Sequence, residues 1–200
     1  MRHLLLILFL GMAMFSCKNE GSLSLNENAT IDAAPPVDPA KLTIPSSCSL
    51  ISDTEVKSIF GVKADIRVKD ATDPSNKFSK ACFFQWDDAD SPNSGIMIQV
   101  QTNSVYGEYA EYIKNYIASK LENGEMEMGN DKPMKYTKFN AGGRPGAYNF
   151  NQGRFYWTTD NNYLITLYFN VTSLNEKGMV RAAEKIVEKV NSNFAKAVKK

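Results

Sequence analysis

Histidine is almost missing from this chain: one copy, His3, stands near the N-terminus, and none follows it. Beyond that residue, Ser-His-Asp and Cys-His catalysis, histidine general bases and the usual zinc sites have no imidazole to use. Cysteine is scarce as well, present only at Cys17, Cys48 and Cys82. No charge of one sign dominates, since 23 Lys and Arg face 22 Asp and Glu. So balanced a chain has no electrostatic reason to seek nucleic acid or an acidic membrane surface. A membrane-spanning helix needs about 20 apolar residues, and the run from Leu4 to Phe15 offers twelve. With 200 residues and 43% hydrophobic content, what is present suits one globular domain with appendages.

The first appendage has a recognisable layout. Arg2 and His3 form a short positive region ahead of the apolar run, the arrangement of a secretory signal peptide over residues 1–16. FSC (Phe15, Ser16, Cys17), following that run, resembles a bacterial lipobox, with Ser16 as the small residue before the cysteine. The resemblance implies that Cys17 carries a thioether-linked diacylglycerol and begins the mature chain, which then meets the membrane through its N-terminal lipid. Each buried CH₂ of such chains contributes about 0.8 kcal/mol, so several chains anchor stably. Lys18, where retention signals place aspartate, implies by the same resemblance an outer-membrane address, with the periplasmic or exterior face left open. The implied cut removes Arg2 and His3, leaving 22 basic against 22 acidic side chains and no histidine.

If Cys17 is lipidated, Cys48 and Cys82 remain as an even pair in an oxidising compartment, and a Cys48–Cys82 disulfide is expected. Closing a loop of about 35 residues should contribute roughly 3–4 kcal/mol in the chain-entropy model. Two buried thiols are the alternative.

Residues 17–45 read as the lipidated cysteine and a flexible tether: four prolines, no aromatics and few large apolar side chains. Such a chain spans roughly 30 Å on average. A single domain is expected over 46–200. SDTE (Ser52 to Glu55) is a capping box, with Val56, Ile59 and Phe60 at helical spacing and Gly61 as the stop. VKADIRVK (62–69) alternates apolar and polar, as do ACFFQW and GIMIQVQT, so three strands are expected there. Tyr106, Tyr109, Ile113, Tyr116, Ile117 and Leu121 mark a helix over 104–122. Strand signals return at KYTKF, GAYNF, RFYWTT and YLITLYF, and SLNE (Ser173 to Glu176) is a second capping box opening a long last helix.

This order predicts an α+β domain, a mainly antiparallel sheet covered by amphipathic helices, with two β-β-β-α halves as one reading. CSLISDTEVKSIFGV, ACFFQW and GGRPGAY together are similar to small secreted bacterial lipoprotein domains of uncharacterised function, over roughly residues 48–170. That resemblance bears on the disulfide and the fold. By element order alone the chain also resembles the PsbP/Mog1-type layered fold, and a fold does not specify a function.

Candidate sites are few. Asp87, Asp88, Asp90 and Asn93 cluster oxygen donors as calcium takes them, but Pro92 stands where a further ligand belongs, and a solvated hairpin loop is the competing reading. AGGRPG (141–146) could present backbone N–H groups and Arg144 to an anion. It lacks phosphate-loop spacing, and its competing reading is a loop whose glycines take positive φ. On a strand, RFYWTT turns Arg154, Tyr156 and Thr158 to one face and Phe155, Trp157 and Thr159 to the other. One set serves the core, and the opposite face still holds an aromatic, supplemented from Tyr148, Tyr163 or Tyr168. Arg154, Tyr156 and Trp157 are therefore candidate binding residues for a sugar or a partner; the competing reading buries them all beneath helices on both faces. The tyrosines of 104–122 read as core and boundary. Asp87 with Asp88, or Glu125 with Glu127, could act as acid and base on a glycan, although adjacency in sequence sets no separation across a cleft.

The expectation is a non-enzymatic cell-envelope lipoprotein that binds an envelope protein or glycan, with no cofactor and no nucleic acid. The alternatives are an inhibitor or immunity-type protein and a carboxylate-dependent envelope glycan enzyme.

Overall fold

The alternating runs pair into one antiparallel sheet of seven strands: β1 (Arg67–Asp70), β2 (Ser79–Trp86), β3 (Ser94–Gln101), β4 (Thr137–Asn140), β5 (Pro145–Asn149), β6 (Arg154–Thr159) and β7 (Tyr163–Asn170). Three α-helices join them, α1 (Asp53–Phe60), α2 (Tyr112–Asn123) and α3 (Glu176–Ala197), so the domain is α+β. This computed structural model describes residues 35–88, 91–129, 131–170 and 172–198. The expected signal peptide, Cys17, the tether up to residue 34 and Asp90 lie outside the described residues.

The strand order is β1-β2-β3-β7-β6-β5-β4. Two meanders therefore meet through their last strands, with Ile98 opposite Leu167 at the seam. The halves are unequal, three strands against four, so the paired β-β-β-α reading gives way to two joined meanders. Side-chain alternation then sorts the residues. On one face Phe84, Ile98, Phe155, Trp157 and Leu167 form the main core with Val56 of α1 and with Ile186, Val187 and Val190 of α3. On the other face Ala147, Tyr156 and Leu164 form a smaller cluster with Ile113 and Ile117 of α2. Among the described residues, no helix is long and apolar enough to cross a membrane.

Local chemistry explains where the elements begin and end. The box before α1 forms as read: the Ser52 hydroxyl accepts the Glu55 N–H at 3.2 Å, and the Ser52 N–H donates to Glu55 Oε2 at 3.0 Å. Gly61 closes the helix in the left-handed region, φ 68°. The second expected box is not used. Asn175 caps α3, its Oδ1 accepting the Gly178 N–H at 2.9 Å, while Glu176 accepts the Tyr148 hydroxyl at 2.8 Å. Asparagine caps as well as serine does, and its position sets the helix start. α2 starts at Tyr112, eight residues later than its periodicity suggests. Asn103 holds the intervening chain in turns, donating to the carbonyls of Tyr109 (2.8 Å) and Ala110 (3.1 Å) and accepting the Val105 N–H (3.0 Å). Such side-chain bonds to the backbone compete with helix.

Two boundaries shift. The strand expected over 62–69 pairs only at Arg67–Asp70, while Val62 and Ile66 reach the core from outside the ladder. The tether ends earlier than Ser46: Ile44 is buried and Leu42 packs against the core. The Tyr163 hydroxyl donates to the Thr43 carbonyl at 3.1 Å, and the Val37 N–H donates to Asn162 Oδ1 at 2.8 Å. Proline content makes this stretch look loose, yet its two aliphatics are enough to seat it. Cys48 and Cys82 form the expected disulfide, with Cα atoms 5.0 Å apart, fixing the 3-10 turn Ser47–Ser49 to β2.

Candidate functional site

Strand β6 divides its aromatics between the two faces. Phe155 and Trp157 point into the main core, and Trp157 is fully buried with Nε1 donating to Asn191 Oδ1 at 3.0 Å. Trp157 is thus a core residue and offers nothing to a ligand. Tyr148 and Tyr163, expected as possible supplements to an open face, are buried on that same side. Arg154 and Tyr156 point the other way. Tyr168, paired in register with Arg154, stands beside them.

There a polar cavity of about 290 Å³ opens between α2 and strands β6 and β7, and Gln101, Thr102 and Ser104 complete its lining from the end of β3. Tyr112 and Tyr116, one helical turn apart on α2, supply one wall (5.5 Å between ring centroids). Tyr116 meets Tyr156 edge-on at 5.4 Å, and Tyr136 lies 5.8 Å from Tyr156. Lys120, also on α2, holds its ammonium 5.2, 5.4 and 5.6 Å from the rings of Tyr116, Tyr136 and Tyr156. Its Nζ pairs with Glu125 Oε2 at 2.8 Å, and that same oxygen accepts a short hydrogen bond from the Tyr136 hydroxyl. Gly124 makes this corner possible. It leaves α2 at φ 73° and ψ −153°, so Glu125 turns back and bridges Met134 through N–H···O bonds of 3.1 and 2.8 Å.

The charges of the site follow from these contacts. Burial raises the phenols of Tyr116, Tyr136, Tyr156 and Tyr168 above their ordinary values, so at neutral pH they are uncharged donors. Burial also works to raise the Glu125 carboxyl, but the bonds from Lys120 and Tyr136 outweigh it and hold the group below its usual range. Glu125 is therefore an engaged anion, poorly matched to a proton-transfer role that needs a pKa near the working pH. Burial opposes the charge of Arg154, yet the neighbouring Tyr156 and Tyr168 keep its pKa above the ordinary value. Its guanidinium carbon sits 5.7 Å from the Tyr168 ring centroid, and its charge helps hold the Glu125 carboxylate ionised, although no ion-pair contact between the two forms. The cavity can hold a small polar molecule between neutral hydroxyls, aromatic edges, the Arg154 cation and the engaged Glu125 anion.

The other candidates lie apart from this cavity. Arg144 lines a different cavity of about 400 Å³, with Asp160, Asn191 and Phe194. Gly142 and Gly143 in its loop take positive φ, 69° and 88°. Asp87 is held by Arg67 in a two-pronged pair (2.8 and 3.3 Å) and accepts the Asn93 N–H at 3.2 Å. Among the described residues, no group of three or more acidic, cysteine or histidine side chains could hold a metal ion. Glu127 accepts from Gln152 at 2.6 Å and is absent from the cavity lining, so it does not act with Glu125 there.

Sequence reasoning reached Arg154 and Tyr156 through strand alternation, and Tyr168 as one of three aromatics that could supplement them. It missed Tyr112, Lys120 and Tyr136, and it took Glu125 only as half of a carboxylate pair. The available signal was Tyr112–Tyr116–Lys120 at steps of four, one stripe of a helix. No protein-family model, no curated protein and no solved structure matches this chain.

Proposed function

We propose that this chain is a cell-envelope lipoprotein, anchored through lipidated Cys17, whose domain binds an envelope component at the tyrosine-lined cavity and performs no catalysis there. The observation that carries the reading is the convergence of Arg154, Tyr156 and Tyr168 with Tyr116 and Glu125 around one polar cavity. Supporting it, the one carboxylate that lines the cavity among the described residues is already bonded by Lys120 and Tyr136, whereas a glycan hydrolase of the usual kind needs two carboxyl groups across a gap. A PsbP/Mog1-type layering, with α1 and α3 on one sheet face and α2 on the other, belongs to the same proposal and adds nothing about the ligand.

Pull-down of the lipidated protein from its own envelope, beside an Arg154→Ala, Tyr156→Ala double variant, tests the reading. The wild type should retain a component that the double variant loses. If both capture the same material, the cavity is not the binding site.

One observation favours a second reading, an inhibitor or immunity-type protein with a protein partner. Phe83, Met97, Tyr168 and Arg154 are directly opposite one another across β2, β3, β7 and β6, all half-buried on the sheet face that carries the cavity. A row of that make-up suits a protein interface. Met97→Asp would abolish capture of a protein under this reading and spare capture of a small ligand.

A further inference from the structure

Resting on the reading of the domain as a binder, we infer that the cavity takes a single acidic sugar residue whose carboxylate pairs with Arg154 while its hydroxyls meet the surrounding phenols. Charge is the first reason. Lys120 and Glu125 cancel each other at 2.8 Å, and the Tyr136 hydroxyl takes part of what Glu125 has left. Arg154 is half-buried among rings, with Tyr168 at 5.7 Å and the Tyr156 phenol beside it. Arg154 and Glu125 both line the cavity and feel each other's charge, but with Lys120 bonded to Glu125 the three groups sum to one net positive charge, and Arg154 has no carboxylate in direct contact. A partly desolvated guanidinium with one phenol beside it keeps donors to satisfy, and its planar fork matches a carboxylate with two parallel hydrogen bonds.

The size and sign of that charge select the ligand. A phosphomonoester carries about −1.5 to −2 at neutral pH, more than one arginine offsets, while a carboxylate carries a single charge. A quaternary ammonium would need the ring cage of Tyr116, Tyr136 and Tyr156, and Lys120 already occupies it. The volume, about 290 Å³, lies at the lower edge of the usual range for small-molecule sites, roughly 300–1,000 Å³. That is room for one ring and not for an extended chain. Neutral phenols of Tyr116 and Tyr156, with Gln101 and Ser104, give donors and acceptors for hydroxyl groups. Their rings offer apolar surface to the C–H faces of a sugar.

The same chemistry can come from a free sugar acid or from the terminal residue of an acidic envelope glycan. Titration of the full chain in detergent with glucuronate, glucose, inorganic phosphate and an oligosaccharide ending in glucuronate separates the cases. Glucuronate or the glucuronate-ended oligosaccharide should bind at least tenfold more tightly than glucose, and inorganic phosphate should not compete. Preference for the oligosaccharide assigns the glycan terminus, and preference for the monosaccharide assigns the free acid. Arg154→Gln should lose at least tenfold in affinity, Arg154→Lys should lose an intermediate amount because charge remains without the fork, and Arg144→Gln should bind as the wild type does. Thermal melts of each variant establish that it is folded. Equal binding of glucose and glucuronate, undiminished binding by folded Arg154→Gln, or no binding of either glucuronate ligand would each overturn the inference. If no sugar acid binds while the envelope pull-down still depends on Arg154 and Tyr156, the acidic-sugar assignment falls and the binding role stands.

Discussion

Gly124 is the residue on which the site's geometry turns. Its φ of 73° with ψ of −153° lies in a region of backbone space that is essentially glycine-only. A Cβ built there would stand 2.2 Å from the Met134 carbonyl oxygen. That oxygen belongs to the backbone and already accepts the Glu125 N–H, so it cannot swing aside. Gly124→Ala should therefore cost about 3 kcal/mol or more, summing backbone strain and overpacking. It should also displace Glu125 from Lys120, loosening the cage of three tyrosines. Denaturant midpoints measure the first effect, and an unchanged midpoint would refute it. At this scale Arg154 and Tyr156 are legible in the sequence as a pair, because strand parity groups them on one face, though parity does not say whether that face or the one with Trp157 meets the main core. Glu125 is not, because its position depends on one glycine's ψ and on a bridge to Met134, neither of which leaves a periodic trace.

At the scale of elements, two helix starts offer a clean comparison. Ser173 and Asn175 both have cap chemistry ahead of α3, and the structure uses Asn175. Asn175→Ala should lower stability by about 1 kcal/mol, with a range of roughly 0.5–2 for such caps. Ser173 is exposed and stands two residues before the cap, so Ser173→Ala should stay within about 0.5 kcal/mol. Chemical denaturation of the two variants decides, and the reverse ranking would show that the helix begins earlier. The strands are the most legible elements: the period-2 run ACFFQW admits only one buried face, and YLITLYF is apolar enough to be buried on both, as β7 is. Where the pattern misled, a local bond prevailed. The tyrosine spacing from 104 onward suggests helix, but Asn103 ties the backbone carbonyls of Tyr109 and Ala110 into turns first. The pairing of β3 with β7 left no local signal, because the contact joins residues about seventy positions apart.

For the molecule as a whole, the folded unit begins before Ser46. Burial of Ile44, with the bond from Tyr163 to the Thr43 carbonyl, should be worth about 2–4 kcal/mol together. A chain starting at Ser46 should therefore unfold at a lower denaturant concentration than one starting at Pro35; equal midpoints would make residues 35–45 a mere tether. The second whole-molecule property is alkaline sensitivity. Burial raises the phenols of Tyr112, Tyr116, Tyr136, Tyr148, Tyr156, Tyr163 and Tyr168 above the ordinary value of 10.0. A phenol whose folded pKa exceeds its unfolded one contributes stability that is complete below the unfolded value. That stability is lost as pH rises toward the folded value, because the unfolded chain sheds the proton first. Seven such groups on one domain act in the same direction, and they sit on both faces of the sheet, so neither cluster can ionise alone without opening its packing. Stability should hold level up to about pH 10 and then fall steeply. The tyrosinate absorbance of these seven should rise in a single cooperative step that coincides with the loss of far-ultraviolet circular dichroism. Gradual ionisation of these tyrosines with the secondary structure intact would mean that the cavity admits hydroxide freely and that its phenols are not the buried neutral donors on which ligand binding depends.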